Sequence, residues 1–379
     1  MRAVVSPGFM KQVVARTLNI GTTSKTGRHI QAKAWIAMAL VLLATVWSGC
    51  SPSDPQSTFD AAGPIAREQL WLFQVIFWAA TVVFIIVEGA LVYALFRFRK
   101  KSDGGPLPVQ AHGKTSLEIA WTIIPILLLV VIMVPTVQTI FKHAEEPDNA
   151  LQVTVVGHQW WFEFNYTDLG ITTANELRIP VDQPVHVKLE SDDVIHSFWI
   201  PKLAGETDLV PGNTNTIWFE AERPGLYYGQ CAEFCGTAHA QMRFQVIAED
   251  QAGFDQWVRN QQMGPATSMI PEFGIKGCAV CHTVNGSDKE GTQTARADGF
   301  RSGLAQFPAP NLTHFASRGT FAGGMFDRTD ENLRTWIADP DSIKSGNRMS
   351  ELAAAYHNPK QALTESDVNA LVGYLQSLT

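Results

Sequence analysis

The sequence predicts a multidomain membrane protein: a two-helix transmembrane hairpin, then a β-sandwich, then an all-α unit at the C-terminus. Three observations predict it. Two long apolar runs flank a short basic connection. Short β-rich runs broken by Gly, Pro and Asn follow them. Helical patterning then surrounds a C-x-x-C-H motif near the end. The 379 residues suffice for more than one compact unit. The net charge of -7, with no basic block beyond the N-terminal region and that short connection, argues against nucleic acid as the partner.

Residues 1–50 read as an export leader. Arg2, Lys11, Arg16, Lys25, Arg28 and Lys33 precede the apolar run 34–46, and no acidic residue appears before Asp54. The run ends in Ser48-Gly49-Cys50, which resembles the lipobox of bacterial lipoproteins, with Trp47 where that pattern prefers Leu. Acylation of Cys50, simple cleavage and an uncleaved anchor all remain open.

The hairpin is expected over 60–143. Run 71–96 is apolar apart from Gln74, Thr81 and Glu88, and run 119–140 repeats the pattern. At about 1.5 Å per residue each spans a hydrocarbon core of roughly 30 Å. Arg97, Arg99, Lys100, Lys101 and Lys114 against Asp103 place the connection in the cytoplasm, so the chain beyond it faces outside. An ionisable residue in a span is a functional suspect. Glu118, where the second span starts, reads equally as a helix-entrance acid favoured by the dipole or as part of a proton path.

From 144 to 250 the rhythm is that of strands. Segments 152–157, 161–166, 185–190, 216–220 and 242–247 are separated by turn clusters such as Val210-Pro-Gly-Asn-Thr214, which suggests an antiparallel sandwich. The loop Cys231-Ala-Glu-Phe-Cys-Gly-Thr-Ala-His-Ala-Gln-Met242 carries two thiols, an imidazole and a thioether. With His196 as a second imidazole from a strand edge, this is the ligand set of a copper electron-transfer site. A second thiolate, Cys235 beside Cys231, lets two sulfurs bridge two copper ions, with His196 and His239 ending each side. A disulfide is the rival in an exported chain. Zinc has no use for Met242.

The loop resembles the binuclear copper motif of cytochrome c oxidase subunit II, C-x-E-x-C-G-x-x-H-x-x-M, at every fixed position. That resemblance implies a cupredoxin-like domain in which His196, Cys231, Glu233, Cys235, His239 and Met242 hold the copper pair called CuA. Glu233 would act through its carbonyl and, by its side chain, toward a magnesium ion at the border with subunit I. Gly157-His-Gln-Trp-Trp-Phe162 resembles the family's G-H-Q-W-Y-W stretch, which makes Trp160 the residue where electrons enter, with Trp161 and Phe162 in place of Tyr and Trp. The same resemblance gives Glu118 the place of the acid at a proton-channel mouth.

Segment 251–271 reads as a helix and linker, and 272–379 as a cytochrome c domain. In Cys278-Ala-Val-Cys-His282 the thiols of Cys278 and Cys281 form thioethers to haem c and His282 binds iron. A Met thioether as sixth ligand suits an electron carrier. Lys344-Ser-Gly-Asn-Arg-Met-Ser350 resembles the family loop K-P-G-x-x-M-P with both prolines replaced, which favours Met349; Met325, His314 and His357 stay as alternatives. Helix 332–338 should stop before Pro340, and Thr364 with Asp367 should cap the last helix.

The whole resembles the fused subunit II of a caa3-type haem-copper oxidase. The resemblance implies a bacterial inner-membrane protein with its C-terminal domains periplasmic. It would pass electrons from haem c to CuA and on to the haem/CuB site of subunit I, where oxygen becomes water and protons are pumped. It also implies subunit III as a neighbour and a cytochrome c or bc1-type complex as donor. The two spans hold no His of their own for an oxygen-reducing site. The rivals are a soluble nitrous oxide reductase, a copper chaperone and a quinol-oxidase subunit that lacks the copper.

Overall fold

The computed structural model describes residues 54–99, 113–264, 267–284 and 309–379, with isolated positions between 37 and 45. The leader, Cys50 and most of the basic connection lie outside the described residues.

Helices α1 (Pro64–Arg97) and α2 (Thr115–Ala144) extend past both apolar runs. Gly63 precedes α1 in extended conformation and Pro64 opens it, where the missing N–H costs nothing. The two helices touch, and their apolar side chains otherwise face outward, as lipid or a membrane partner requires. Near the sandwich Glu68 of α1 takes both Lys142 and, at 3.0 Å, His143 of α2. The segment before α1 is stitched to the sandwich: Ala62 N–H donates to Lys202 O at 2.7 Å, and Asp60 pairs with Lys202 and Arg223.

The sandwich has ten strands. They are β1 (Leu151–His158), β2 (Trp161–Tyr166), β3 (Ile171–Ala174), β4 (Glu176–Pro180), β5 (Val185–Ser191), β6 (His196–Trp199), β7 (Glu206–Leu209), β8 (Asn215–Phe219), β9 (Gly225–Cys231) and β10 (Arg243–Glu249). One sheet runs β3-β2-β1-β5-β8 and the other β4-β10-β9-β6-β7. The expectation of an antiparallel sandwich needs correction, because β1 pairs with β5, and β10 with β4, in parallel. Each parallel pair joins strands distant in sequence, a connection that local turn signals do not reveal. The strands that patterning missed are mostly short.

Phe162, Phe164, Phe198, Phe219 and Phe244 fill the space between the sheets. Phe198 stacks on Phe244 at 4.6 Å, and Phe162 meets Phe244 edge-on at 4.9 Å. Each fully buried ring stabilises the fold by about 1.5–3 kcal/mol.

Helix α3 (Gln251–Gln261) follows at once, capped by Asp250, whose carboxylate accepts from Gly253 N–H at 2.7 Å. Its Phe254 and Trp257 are buried on the sandwich, Trp257 lying 5.1 Å from the Tyr166 ring. The first half of the expected linker is therefore a packed helix.

The C-terminal unit contains α4 (Pro271–Ile275), a two-residue ladder β11 (Thr320–Phe321) with β12 (Phe326–Asp327), α5 (Asp330–Ala338), α6 (Pro340–Ile343), α7 (Arg348–Leu352), α8 (Ala354–His357) and α9 (Glu365–Ser377). Thr329 caps α5, and Thr364 with Asp367 forms the expected capping box on α9. Leu333 and Ile337 of α5 meet Leu371, Val372 and Leu375 of α9 in its core.

Candidate metal centre and haem cleft

Strand pairing brings the first two ligands together. β9 ends at Cys231, β6 begins at His196, and Phe198 sits opposite Cys231 across the pair. The loop from 232 to 242 then folds back, with Cys231 N–H donating to Met242 O at 2.9 Å and Met242 N–H to His239 O at 3.1 Å.

The soft atoms consequently converge. Cys231 and Cys235 Sγ lie 3.7 Å apart. His196 Nδ1 is 3.9 Å from Cys231 Sγ, and His239 Nδ1 is 3.5 Å from Cys235 Sγ. Met242 Sδ stands 3.8 Å from Cys235 Sγ, and the Glu233 carbonyl oxygen 3.3 Å from Cys231 Sγ. Ligand atoms of His196, Cys231 and Cys235 all fall within 4.8 Å of one another. Both cysteines are free thiols, so the disulfide alternative is not what the loop adopts. Two facing sulfurs flanked by an imidazole each, with a thioether and a carbonyl at the poles, form a donor set that fits a soft metal pair.

The electrostatics are those of ligands held ready. The hydrogen bond shared with Cys235 pulls the Cys231 thiol down from its ordinary range, with His196 helping against burial. The same shared interaction, with burial, pushes the Cys235 thiol up. Burial lowers the His196 imidazole, but Asp193 and Cys231 outweigh it and the net direction is up. Asp193 Oδ1 binds His196 Nε2 at 2.8 Å, which aims Nδ1 at the sulfurs. Sequence reasoning passed over Asp193; its spacing of three from a ligating His was the available signal.

Two glycines are required by close approach. A Cβ on Gly157 would sit 2.6 Å from the His196 ring. Gly236, at φ +119°, would place one 3.1 Å from the Trp160 indole. Trp160 is buried, and its Nε1–H donates to the Cys235 carbonyl at 3.1 Å. Gln159, which sequence reasoning also missed, donates to that carbonyl at 2.7 Å and accepts from Arg348 at 2.6 Å. The Glu233 carboxylate stays on the exposed side of the loop, accepting from Phe234 N–H at 3.2 Å. Glu118 lies far off in chain, in the first turn of α2, with its side chain exposed.

Trp160 also lines a second feature. A cleft of about 1470 Å³, counting its solvent-open mouth, is bordered by Cys278, Cys281, His282 and Met349 from the C-terminal unit and by Gln159, Trp160 and Trp161 from the sandwich. His282 Nδ1 bonds to Pro310 O at 2.8 Å, which leaves Nε2 for a metal, and burial lowers the imidazole's pKa. These residues fit a covalently held haem. Met349 borders the cleft, whereas Met325 is not among its lining residues. His314 has both ring nitrogens bonded, to Thr379 O and Gln261 O, and His357 Nε2 bonds to Ser350 O.

A membrane-anchored electron-transfer subunit is the class that this fold and site define. Residues 53–139 match the transmembrane domain of cytochrome C oxidase subunit II, 169–249 match its periplasmic domain, and 273–379 match cytochrome c. The chain is 35% identical to cytochrome c oxidase subunit 2 of Alkalihalophilus pseudofirmus, covering 90% of this chain and 96% of that one. It is 34% identical to quinol oxidase subunit 2 of Bacillus subtilis, covering 61% and 73%. The crystal structure of the periplasmic domain of subunit II of cytochrome oxidase from Bradyrhizobium japonicum aligns with a TM-score of 0.29 at 30% identity, over 31% of this chain and 94% of that one.

The chain belongs to the cytochrome c oxidase subunit II family and carries a C-terminal cytochrome c domain. It is a two-span membrane subunit of a haem-copper oxidase, an oxidoreductase, and works in electron transfer beside a subunit I.

Proposed function

We propose that the chain takes electrons at a haem c in its C-terminal domain, passes them to a binuclear copper centre in its sandwich and delivers them to the haem/CuB site of subunit I, where oxygen is reduced to water. The observation that carries this reading is the convergence of His196, Cys231, Cys235, His239, Met242 and the Glu233 carbonyl on one small space. When bound, a copper pair shared by two thiolates and a haem with His and Met ligands supply one-electron storage with little change of geometry.

The chain's own residues prepare both sites. Cys231, Cys235, His196 and His239 would hold the copper, with Met242 as a weak further donor. Asp193 orients His196. Cys278 and Cys281 would anchor the haem covalently, and His282 and Met349 would ligate its iron. Trp160 lines the haem cleft and donates to the Cys235 carbonyl, so it lies between donor and acceptor. The sandwich and haem domain stand on the periplasmic side, and the exposed Glu233 carboxylate is available to a magnesium ion shared with subunit I. Glu118 lies at the cytoplasmic mouth of a proton path. Subunit III and a cytochrome c or bc1-type donor complete the assembly.

Relatives that oxidise quinol supply the second reading, a copper-free subunit. The complete donor set favours copper over it. The deciding experiment is Cys231→Ser in the assembled oxidase. Copper should fall from two ions per chain in this centre to one or none, the haem c spectrum should persist, and oxygen uptake driven through haem c should drop at least about a hundredfold, the scale of losing a relay group. Uptake at the wild-type rate would sink the relay.

A further inference from the structure

We infer that Lys344 and Glu176 clamp the haem domain onto the sandwich, so that the donor is a fixed neighbour of the copper loop, and that Lys344 is a positioning residue for the transfer. The functional half of this rests on the relay proposed above; the clamp itself does not.

Lys344 follows α6 and precedes Met349 by five positions. It is 3% exposed, an uncommon place for an ammonium group. Its Nζ donates to Trp160 O at 2.8 Å and to Ala322 O at 2.9 Å, one carbonyl from each domain. Burial pulls the amine down to about 7, and a buried polar group is costly unless it is hydrogen-bonded. Undocking would strip one of these partners.

Glu176, on the edge strand β4, is the reciprocal case. It too is 3% exposed, and its Oε1 accepts from Gly319 N–H and Thr320 N–H, each at 2.7 Å, and from Thr320 Oγ1 at 3.0 Å. The sandwich thus offers a buried carboxylate to the haem domain, and the haem domain a buried lysine amine to the sandwich.

Backbone lies against backbone between these two points. Arg243 N–H, at the start of β10, donates to Gly323 O at 2.8 Å. A Cβ on Gly323 would stand 2.9 Å from Gln241 O and 3.0 Å from Trp160 O, and one on Gly324 3.0 Å from Arg243 O. Electron carriers that meet and part use small, wet contacts. A buried lysine amine, a buried carboxylate and a strand-like bond, all bonded across the two domains, are the marks of a lasting junction. The fused haem domain is therefore docked, and its effect is geometric rather than only a raised local concentration.

The test uses the full chain in detergent, read by hydrogen exchange with mass spectrometry, in wild type, Lys344→Met and Glu176→Gln. Peptides holding the Arg243, Gly319 and Thr320 amides should exchange about ten- to hundredfold faster in each variant, the scale of one lost charge-assisted hydrogen bond. Peptides of β1 and α9 should keep wild-type protection, and the haem spectrum should be unchanged. Wild-type protection of the three junction amides in both variants overturns the clamp. So does acceleration that spreads through α9, which would give Lys344 a role in folding the haem domain alone. Flash-induced transfer from haem to copper should slow at least tenfold in Lys344→Met. If exchange at the junction rises while that rate holds, the positioning role is refuted. Absence of copper from the wild-type protein would refute the relay and leave the exchange result to judge the clamp.

Discussion

At the scale of single residues, the metal centre depends on what is small as much as on what ligates. Gly236 has a backbone that L side chains rarely adopt, and its missing Cβ admits the Trp160 indole and the Gln159 amide at 3.1 and 3.2 Å. Gly236→Ala should cost about 1–3 kcal/mol, from strain at positive φ plus displacement of a packed ring. The expected outcome is a lower thermal midpoint of the sandwich together with weaker copper retention, measured by calorimetry and metal analysis on the same sample. An unchanged midpoint would mean that the loop can turn here without glycine.

At the scale of elements, the helix starts are set by short polar devices. Asp367 closes the capping box of α9 through Thr364 and also binds Lys276 Nζ at 2.8 Å. The Lys276 ammonium, with Thr364, holds the Asp367 carboxyl down to about 2, below the usual 3.8. A carboxyl depressed in the folded state contributes stability above its unfolded value, and loses it as pH falls through the folded one. The haem domain should therefore lose part of its stability between about pH 4 and pH 2. Asp367→Asn should flatten that part of the profile, as followed by haem absorbance in acid titrations. A variant with the wild-type slope would remove Asp367 from the cause. Helix α3, the helix expected at the start of segment 251–271, adds a second lesson, since its Phe254 and Trp257 bury on the sandwich.

At the scale of the whole molecule, the haem cleft is walled by two domains, and Lys344 and Glu176 at their junction are withdrawn from solvent. Salt screens exposed pairs separated by a Debye length of about 10 Å at 0.1 M, and buried ones far less. Intramolecular haem-to-copper transfer should accordingly keep its rate when ionic strength is raised from about 0.05 to 0.5 M, whereas delivery from an outside donor should slow. A pronounced salt dependence of the internal step would point to a domain that leaves and returns.

Much of this architecture was legible in one dimension. The spans announce themselves by their long, almost wholly apolar length, because lipid admits little else. The haem motif and the copper loop are equally local: C-A-V-C-H and the stretch from Cys231 to Met242 each pack their donors within a few positions. The cap of α9 needed only Thr364 and Asp367. The sequence by itself therefore determined the order of parts, the donor types and the family. Only the tertiary structure decided what depends on long-range pairing. The parallel partnership of β1 with β5 escapes turn signals, and so does the seating of His196 beside Cys231 by strand register. So too do Asp193 behind His196, Gln159 between Arg348 and Cys235, and Lys344 under Trp160. The physical reason is that a ligand's identity is written at its own position. Its orientation and its neighbours come from residues tens to hundreds of positions away, brought near only when the sheets close and the haem domain docks.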